Sequence, residues 1–410
     1  MGAAASSIAP AGSTISDTQL PMEGPLSPFP PEVIDVILEH LEWREVLALL
    51  RVNSLFYGAI AWRIVNRVRV FERDDVLQVE ARHTERRLFL STPVVSRWLP
   101  LFVAQLDVYP HDVRVVEHST CADMVACERH SSPRLRELLG PVGRLELPNL
   151  RTLRLFFNAG PLHTDMAPNE PSPFPCGVLP SRRPENITFR GVPARALKYF
   201  HSHLPPRYCD VLVRQVHVIG PELVGEHGTV NGTIYLNWWD GGRALDTLES
   251  AEVVFWTPAG GEWLPIPPSR EQEWAHGPLQ RWFDRMLRTL QMSFIELSET
   301  PPPMDWGLDT AQPRKQCKPR LTIVNAGAIS SACYARPTDV TTPDKWASYG
   351  AREEAVAAAF EALWRTTLPP ILRGKRAQLA QRVRFVSLDE WVQEGKWRDV
   401  FDPAEVGLEG

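Results

Sequence analysis

Apolar residues are spread unevenly along this chain, and changes in their spacing divide it into regions. Residues 1–26 are small, polar and interrupted by Pro and Gly, with too few apolar groups to offset the entropy of ordering them. They are expected to form a disordered leader. From Ser27 to Val70 apolar positions become dense and fall at helical spacing. Val33, Ile34, Ile37, Leu38 and Leu41 share one face of a helix predicted over Pro31 to Leu41. Pro30-Pro31 supplies its start, since the first turn tolerates a missing N–H, and Glu32 suits the positive end of the helix dipole. A second helix is predicted over Glu45 to Arg51 with Leu47 and Leu50 inward. A third follows Asn53 or Ser54, with Phe56, Ile60 and Ile64 inward.

Beyond Val70 the charge is mixed, and residues 71–145 read as a mixed helical linker. Residues 146–400 alternate strand-like with helix-like runs. Strands are predicted at Thr152–Phe157, Asn186–Arg190, Val211–Ile219, Glu252–Trp256, Leu321–Asn325 and Val383–Val386, and helices at Ala194–Ser202, Pro278–Met292, Ala351–Arg365 and Leu388–Glu394. Such alternation argues for α/β units with parallel strand pairing. Leu147, Leu150, Leu153 and Leu155 in "LELPNLRTLRLFF" have the spacing of a leucine-rich repeat, clear only once because Pro-rich insertions separate the other strands unevenly. An irregular solenoid and a compact α/β domain both fit. The stretch "VRFVSLDEWVQEGKWRDVFDPAEV" reads as a strand, a short helix and a capping tail that closes the sheet, with 401–410 as the terminal tail.

Length and composition narrow the functional classes. A chain of 410 residues, 44% hydrophobic and 23% charged, buries a large core in about two or three domains. A net charge of −5 removes the electrostatic reason to expect nucleic-acid binding, and the cations from Arg373 to Arg384 read as a solvated helix face. Six irregularly spaced cysteines make no disulfide framework and suggest a reducing compartment, cytoplasm or nucleus. No apolar run approaches the ~20 residues that cross a bilayer, so no stable membrane insertion is expected. Met1-Gly2-Ala3-Ala4-Ala5-Ser6 fits the loose pattern for myristoylation of Gly2, but no Lys or Arg before Arg44 supplies a second membrane signal.

The segment "SPFPPEVIDVILEHLEWREVLALLRVNSLFYGAIAWRIVNRV", residues 27–68, resembles the F-box family, of the kind abundant in basidiomycete fungi. The family's Leu-Pro-x-Glu opening stands here as Phe29-Pro30-Pro31-Glu32, followed by Val33, Ile37-Leu38 and Leu41 in register. After a polar turn come Glu45-Val46-Leu47-Ala48-Leu49-Leu50-Arg51-Val52-Asn53 and Phe56-Tyr57. Phe29 replaces the usual leucine, and Glu45-Val46 stands where Asp-Leu is common. The resemblance covers about a tenth of the chain. It implies a three-helix F-box over 27–70 ahead of an irregular, leucine-rich-repeat-like α/β region. It also implies that Phe29, Pro30, Glu32, Val33, Ile37, Leu38, Leu41, Leu47 and Val52 either build the bundle or face a Skp-type adaptor. A unit of about 40 residues buries too little surface to stand alone, so a partner or the following domain should cover its leftover apolar face.

Other motifs weigh less. His118, Cys121, Cys127 and His130 have the form H-x2-C-x5-C-x2-H, too cramped for a zinc site, and on a helix the two cysteines would point about 240° apart. No metal or cofactor is expected. "RLTIVNAGAIS" is similar to the Asn-Ala-Gly of short-chain dehydrogenases, yet neither Tyr334 nor Tyr349 has a lysine four residues on. No glycine-rich pyrophosphate turn, P-loop, G-x-S-x-G or H-E-x-x-H is present. Fourteen tryptophans, including Trp238, Trp239, Trp256, Trp263, Trp306 and Trp346, are first candidates for a substrate-contacting surface. The expected function is that of a non-enzymatic, substrate-recruiting subunit of an SCF-type cullin-RING ubiquitin ligase, its partners the adaptor, the cullin complex and a protein substrate. A scaffold outside any ligase and a degenerate α/β enzyme are the alternatives.

Overall fold

The structure is a computed structural model that describes residues 30–49, 65–73, 76–83, 86–89, 101–109, 147–156, 184–190, 212–220, 247–257, 261–264, 276–299, 318–334 and 348–406. The leader, the third predicted F-box helix and the helix predicted at 194–202 lie outside these residues. The chain divides into two compact units, Met1–Arg63 and Ile64–Gly410.

In the first unit, α1 (Pro31–His40) and α2 (Trp43–Leu49) are joined by Leu41 and Glu42. Pro30 precedes α1 in an extended conformation, and Pro31 occupies the first helical position, where no N–H is needed. The second helix starts two residues before its predicted position because Glu45 caps it. The Glu45 carboxylate accepts the Glu42 backbone N–H at 2.7 Å, the returning half of a capping box.

The second unit is α/β, built on one ten-stranded sheet in the order β10-β9-β8-β7-β6-β5-β4-β1-β2-β3. Its strands are β1 (Arg67–Arg73), β2 (Val76–His83), β3 (Arg86–Phe89), β4 (Gln105–Val108), β5 (Thr152–Phe156), β6 (Asn186–Arg190), β7 (Arg214–Ile219), β8 (Ser250–Phe255), β9 (Arg320–Val324) and β10 (Val383–Val386). The first two antiparallel pairings, β1 with β2 and β2 with β3, form one edge. From β1 through β4 to β10, all pairings are parallel. The sheet thus begins at Arg67, within the span read as the F-box, and continues through the region read as a mixed helical linker, whose described residues carry the end of β1 and β2 to β4. "RVRVFER" opens with Arg67-Val68-Arg69-Val70, which alternates arginine with valine at period two, a strand signal that the mixed charge conceals.

The parallel strands follow chain order without reversal. Crossovers of one hand between strands added in one direction all fall on the same face. The described crossover helices obey this. Helices α3 (His276–Glu299) and α4 (Tyr349–Thr367) both pack on the face that presents Ala251, Val253, Leu321 and Ile323. Ser348 caps α4 by accepting the Ala351 N–H at 3.2 Å. The leucines of "LELPNLRTLRLFF" enter the interior: Leu147, Leu150, Leu153 and Leu155 are all buried.

Helix α5 (Arg376–Ala380) precedes β10. The cationic stretch around it is only partly solvated, since Arg382 is half-buried and donates to the Pro319 carbonyl and to Ser298 Oγ at 2.7 Å. After β10, Ser387 caps α6 (Leu388–Gln393) through the Glu390 N–H at 3.1 Å. Gly395 ends that helix at φ 72°, a left-handed turn that glycine adopts without strain. The segment through Val406 then crosses the other sheet face, where Trp391, Trp397, Val400 and Phe401 pack on Val216, Val218, Val254, Val324 and Val386. The predicted capping tail therefore lies over a face of the sheet.

Candidate functional site

Along helix α1 the apolar residues divide into a buried and an exposed set. Leu38 is buried at 3% exposure and Ile37 and Leu41 are half-buried, whereas Val33 and Val36 stand 40% and 52% exposed. Five residues at 100° each put Leu38 about 140° around the helix from Val33. Leu38 belongs to the packed side. Pro30, Glu32, Val33 and Val36 form the solvent side. Val36 was not among the expected contact residues because it lies off the main apolar stripe. A valine outside that stripe is the signal that could have marked it. Among the described side chains of α2, Val46 is buried, at 2%. Leu47 lies on α2, while Phe29 and Val52 fall outside the described residues.

A second candidate is the charged face of the sheet beneath residues 388–406. The register places Arg69, Asp107, Arg154, Thr188, Val216 and Glu252 in one row on neighbouring strands. Asp107 accepts from Arg154 Nε at 2.6 Å, from Arg67 at 3.0 and 3.2 Å and from Gln105 at 3.0 Å. Burial pushes its carboxyl above the ordinary value, against the pull of the Arg67 guanidinium. Across β7 and β8, Arg214 grips Glu252 with two bonds of 2.8 Å, and Trp391 Nε1 donates to the same carboxylate at 2.8 Å. Burial opposes ionisation of Glu252, but the Arg214 guanidinium outweighs it and holds the carboxyl below its ordinary value.

The overlying segment completes these pairs. Asp402 accepts from Arg154 at 3.2 Å and from Arg67, and the Val400 carbonyl accepts from Arg154 at 3.1 Å. Glu405 receives both Arg190 nitrogens at 2.9 and 2.6 Å, while Asp399 lies 3.6 Å from Arg214. Arg190 also covers the Phe401 ring at 4.8 Å. Sequence reasoning missed this arrangement. The Arg154–Asp402 and Arg190–Glu405 partners lie more than 200 positions apart, and arginines within a strand read as solvent-facing.

The "NAGAIS" turn forms a bracket around a tyrosine. Asn325, in the left-handed region at φ 64°, donates to the Phe255 carbonyl at 2.8 Å and accepts from the Tyr349 hydroxyl at 3.2 Å. Burial pushes the Tyr349 hydroxyl up, so it stays a proton donor. A Cβ on Gly327 would come within 2.6 Å of the Tyr349 ring, so the glycine serves close packing. Trp263 is buried and donates to the Ile219 carbonyl at 3.0 Å, so it acts as an interior residue, while the half-buried Trp256 packs against Phe401. Trp238, Trp239, Trp306, Trp346 and the Cys/His cluster lie outside the described residues. Among the described residues no group of three or more His, Cys, Asp or Glu could hold a metal, and no helix is long and apolar enough to cross a membrane. Comparison with family models, curated proteins and solved structures found no match to this chain.

Proposed function

We propose that this chain is a substrate-recruiting subunit of an SCF-type cullin-RING ubiquitin ligase, docking a Skp-type adaptor through an F-box at its N-terminal unit. The observation that carries the reading is the exposed apolar side of α1, Val33 and Val36 beside Pro30, on a helix whose other side is packed through Leu38. Exposed neighbouring valines on a small helical unit are what a protein partner covers. The second unit, its parallel strands β4 to β10 succeeding one another in chain order, fits an irregular leucine-rich-repeat-like substrate holder. Such a subunit performs no chemistry; it fixes a substrate near the charged conjugating enzyme and so raises the effective concentration. It would act in cytoplasm or nucleus.

The test is adaptor capture by the full chain and by a Val33→Asp/Val36→Asp variant. Truncating or charging two central contacts costs a few kcal/mol, so affinity should fall on the order of a hundredfold. Cullin should co-purify with the wild type, which separates a ligase subunit from a scaffold. An adaptor that fails to bind the wild type, under conditions where another F-box protein binds it, refutes the proposal.

A further inference from the structure

The two faces of the sheet are built differently. One is apolar under α3 and α4, as folding alone requires. On the other, Arg67, Arg154 and Arg214 pair within the sheet with Asp107 and Glu252, which together with Arg190 leaves an excess of two positive charges among these six beneath the strap. Charges buried on a sheet are not needed for stability, since apolar residues of similar volume commonly serve as well or better. Here Asp399, Asp402 and Glu405 of the overlying strap supply the missing carboxylates, and Phe401 fills the apolar strip between them. The strap carboxylates remain 44%, 14% and 32% exposed, so the ion pairs lie at a rim open to water. The Arg190–Glu405 pair has the bidentate geometry by which arginine recognises a carboxylate in a ligand.

We infer that this face is a peptide-binding site for acidic segments that flank an aromatic residue, and that residues 396–406 occupy it in cis. The ligand class follows from the occupant: carboxylates three residues apart, at 399, 402 and 405, with an aromatic ring at 401. Identifying that ligand as a ligase substrate rests on the proposed function; the existence of the site does not. A tethered strap competes at an effective concentration near millimolar, so a partner segment must either bind tightly or be delivered at high local concentration. The site is self-gated for that reason.

The experiment uses the full chain and a labelled peptide of residues 395–406, GKWRDVFDPAEV, with no adaptor present. In an Asp402→Arg/Glu405→Arg variant the cis strap is repelled from Arg67, Arg154 and Arg190. Fluorescence anisotropy should show this variant binding the peptide at least tenfold more tightly than wild type. Adding Arg190→Glu should abolish the gain, and a peptide with arginine at the Glu405 position should restore it. A folded double variant that binds the peptide no better than wild type overturns the inference. Should that variant not fold, the wild type supplies the readout: excess peptide should speed hydrogen exchange at 397–406, and unchanged exchange there at saturating peptide is equally decisive against it.

Discussion

Replacing Arg154 with methionine probes whether the charged sheet face is held together as described. The Arg154 side chain is fully buried and bridges Asp107, the Val400 carbonyl and Asp402. Methionine fills a similar volume but strands Asp107, itself 1% exposed. Removing one partner of a buried pair typically costs about 3–5 kcal/mol, because the remaining charge is left uncompensated. Asp107 keeps Arg67 and Gln105, which puts the expected cost at the lower end, about 3 kcal/mol, including the orphaned Val400 carbonyl. At about 2–4 °C per kcal/mol for large domains, the second unit should melt roughly 6–12 °C lower in a circular-dichroism scan. A second change, Asp107→Asn, removes the stranded carboxylate and should cost less in the Arg154→Met background than alone, with a coupling of about 0.5–3 kcal/mol. The half-exposed Arg384–Glu390 pair is the control, and Arg384→Met should shift stability by less than about 1 kcal/mol. An Arg154→Met loss as small as the control, or strict additivity with Asp107→Asn, would refute the assigned network.

Three further expectations address other parts of the second unit. Burial lowers His217 to about 3, and Gln215 Nε2 lies 3.3 Å from its Nε2, so the folded protein keeps the ring neutral. The unfolded chain takes up that proton below about pH 6.5, so stability is unaffected above this pH and falls by up to ~1.4 kcal/mol per unit as pH drops from 6.5 towards 3. Urea titrations at pH 7, 6 and 5 should show a shallower decline for His217→Leu, and parallel curves would count against it. Gly327→Ala should cost about 1–3 kcal/mol in thermal unfolding through collision with Tyr349, and an unchanged midpoint would contradict the close packing. Burial, aided by Glu262, pushes the Cys333 thiol up to about 12, so peptide mapping should find it unalkylated by iodoacetamide in the native state and labelled in urea. Rapid native labelling is the adverse result.

Local pattern carried much of the fold. Strand β6 occupies its expected bounds because a central parallel strand, buried through Ile187, Thr188 and Phe189, reads as a short apolar run, and the edge strand β10 does so through the strand-forming Val383, Phe385 and Val386 around an exposed Arg384. The spans of α3 and α4 follow from helical periodicity, though both helices extend beyond it. Strand β1 was hidden because its alternating arginine and valine was read for charge instead of period, and β2 to β4 because they are short or carry charges among their apolar residues. On α1 the sequence supplied the apolar stripe, but burial alone told Leu38, which packs, from Val33 and Val36, which face solvent. The charged face lay beyond any local reading. Whether Arg154 points to water or to Asp107 depends on which strand lies beside β5 and in what register. That Asp402 reaches it depends on a strap crossing the sheet from 248 residues away. Periodicity determines which residues want to be buried; only the packed chain decides which charges must then meet, because an ion pair between distant segments leaves no mark on the neighbours of either residue.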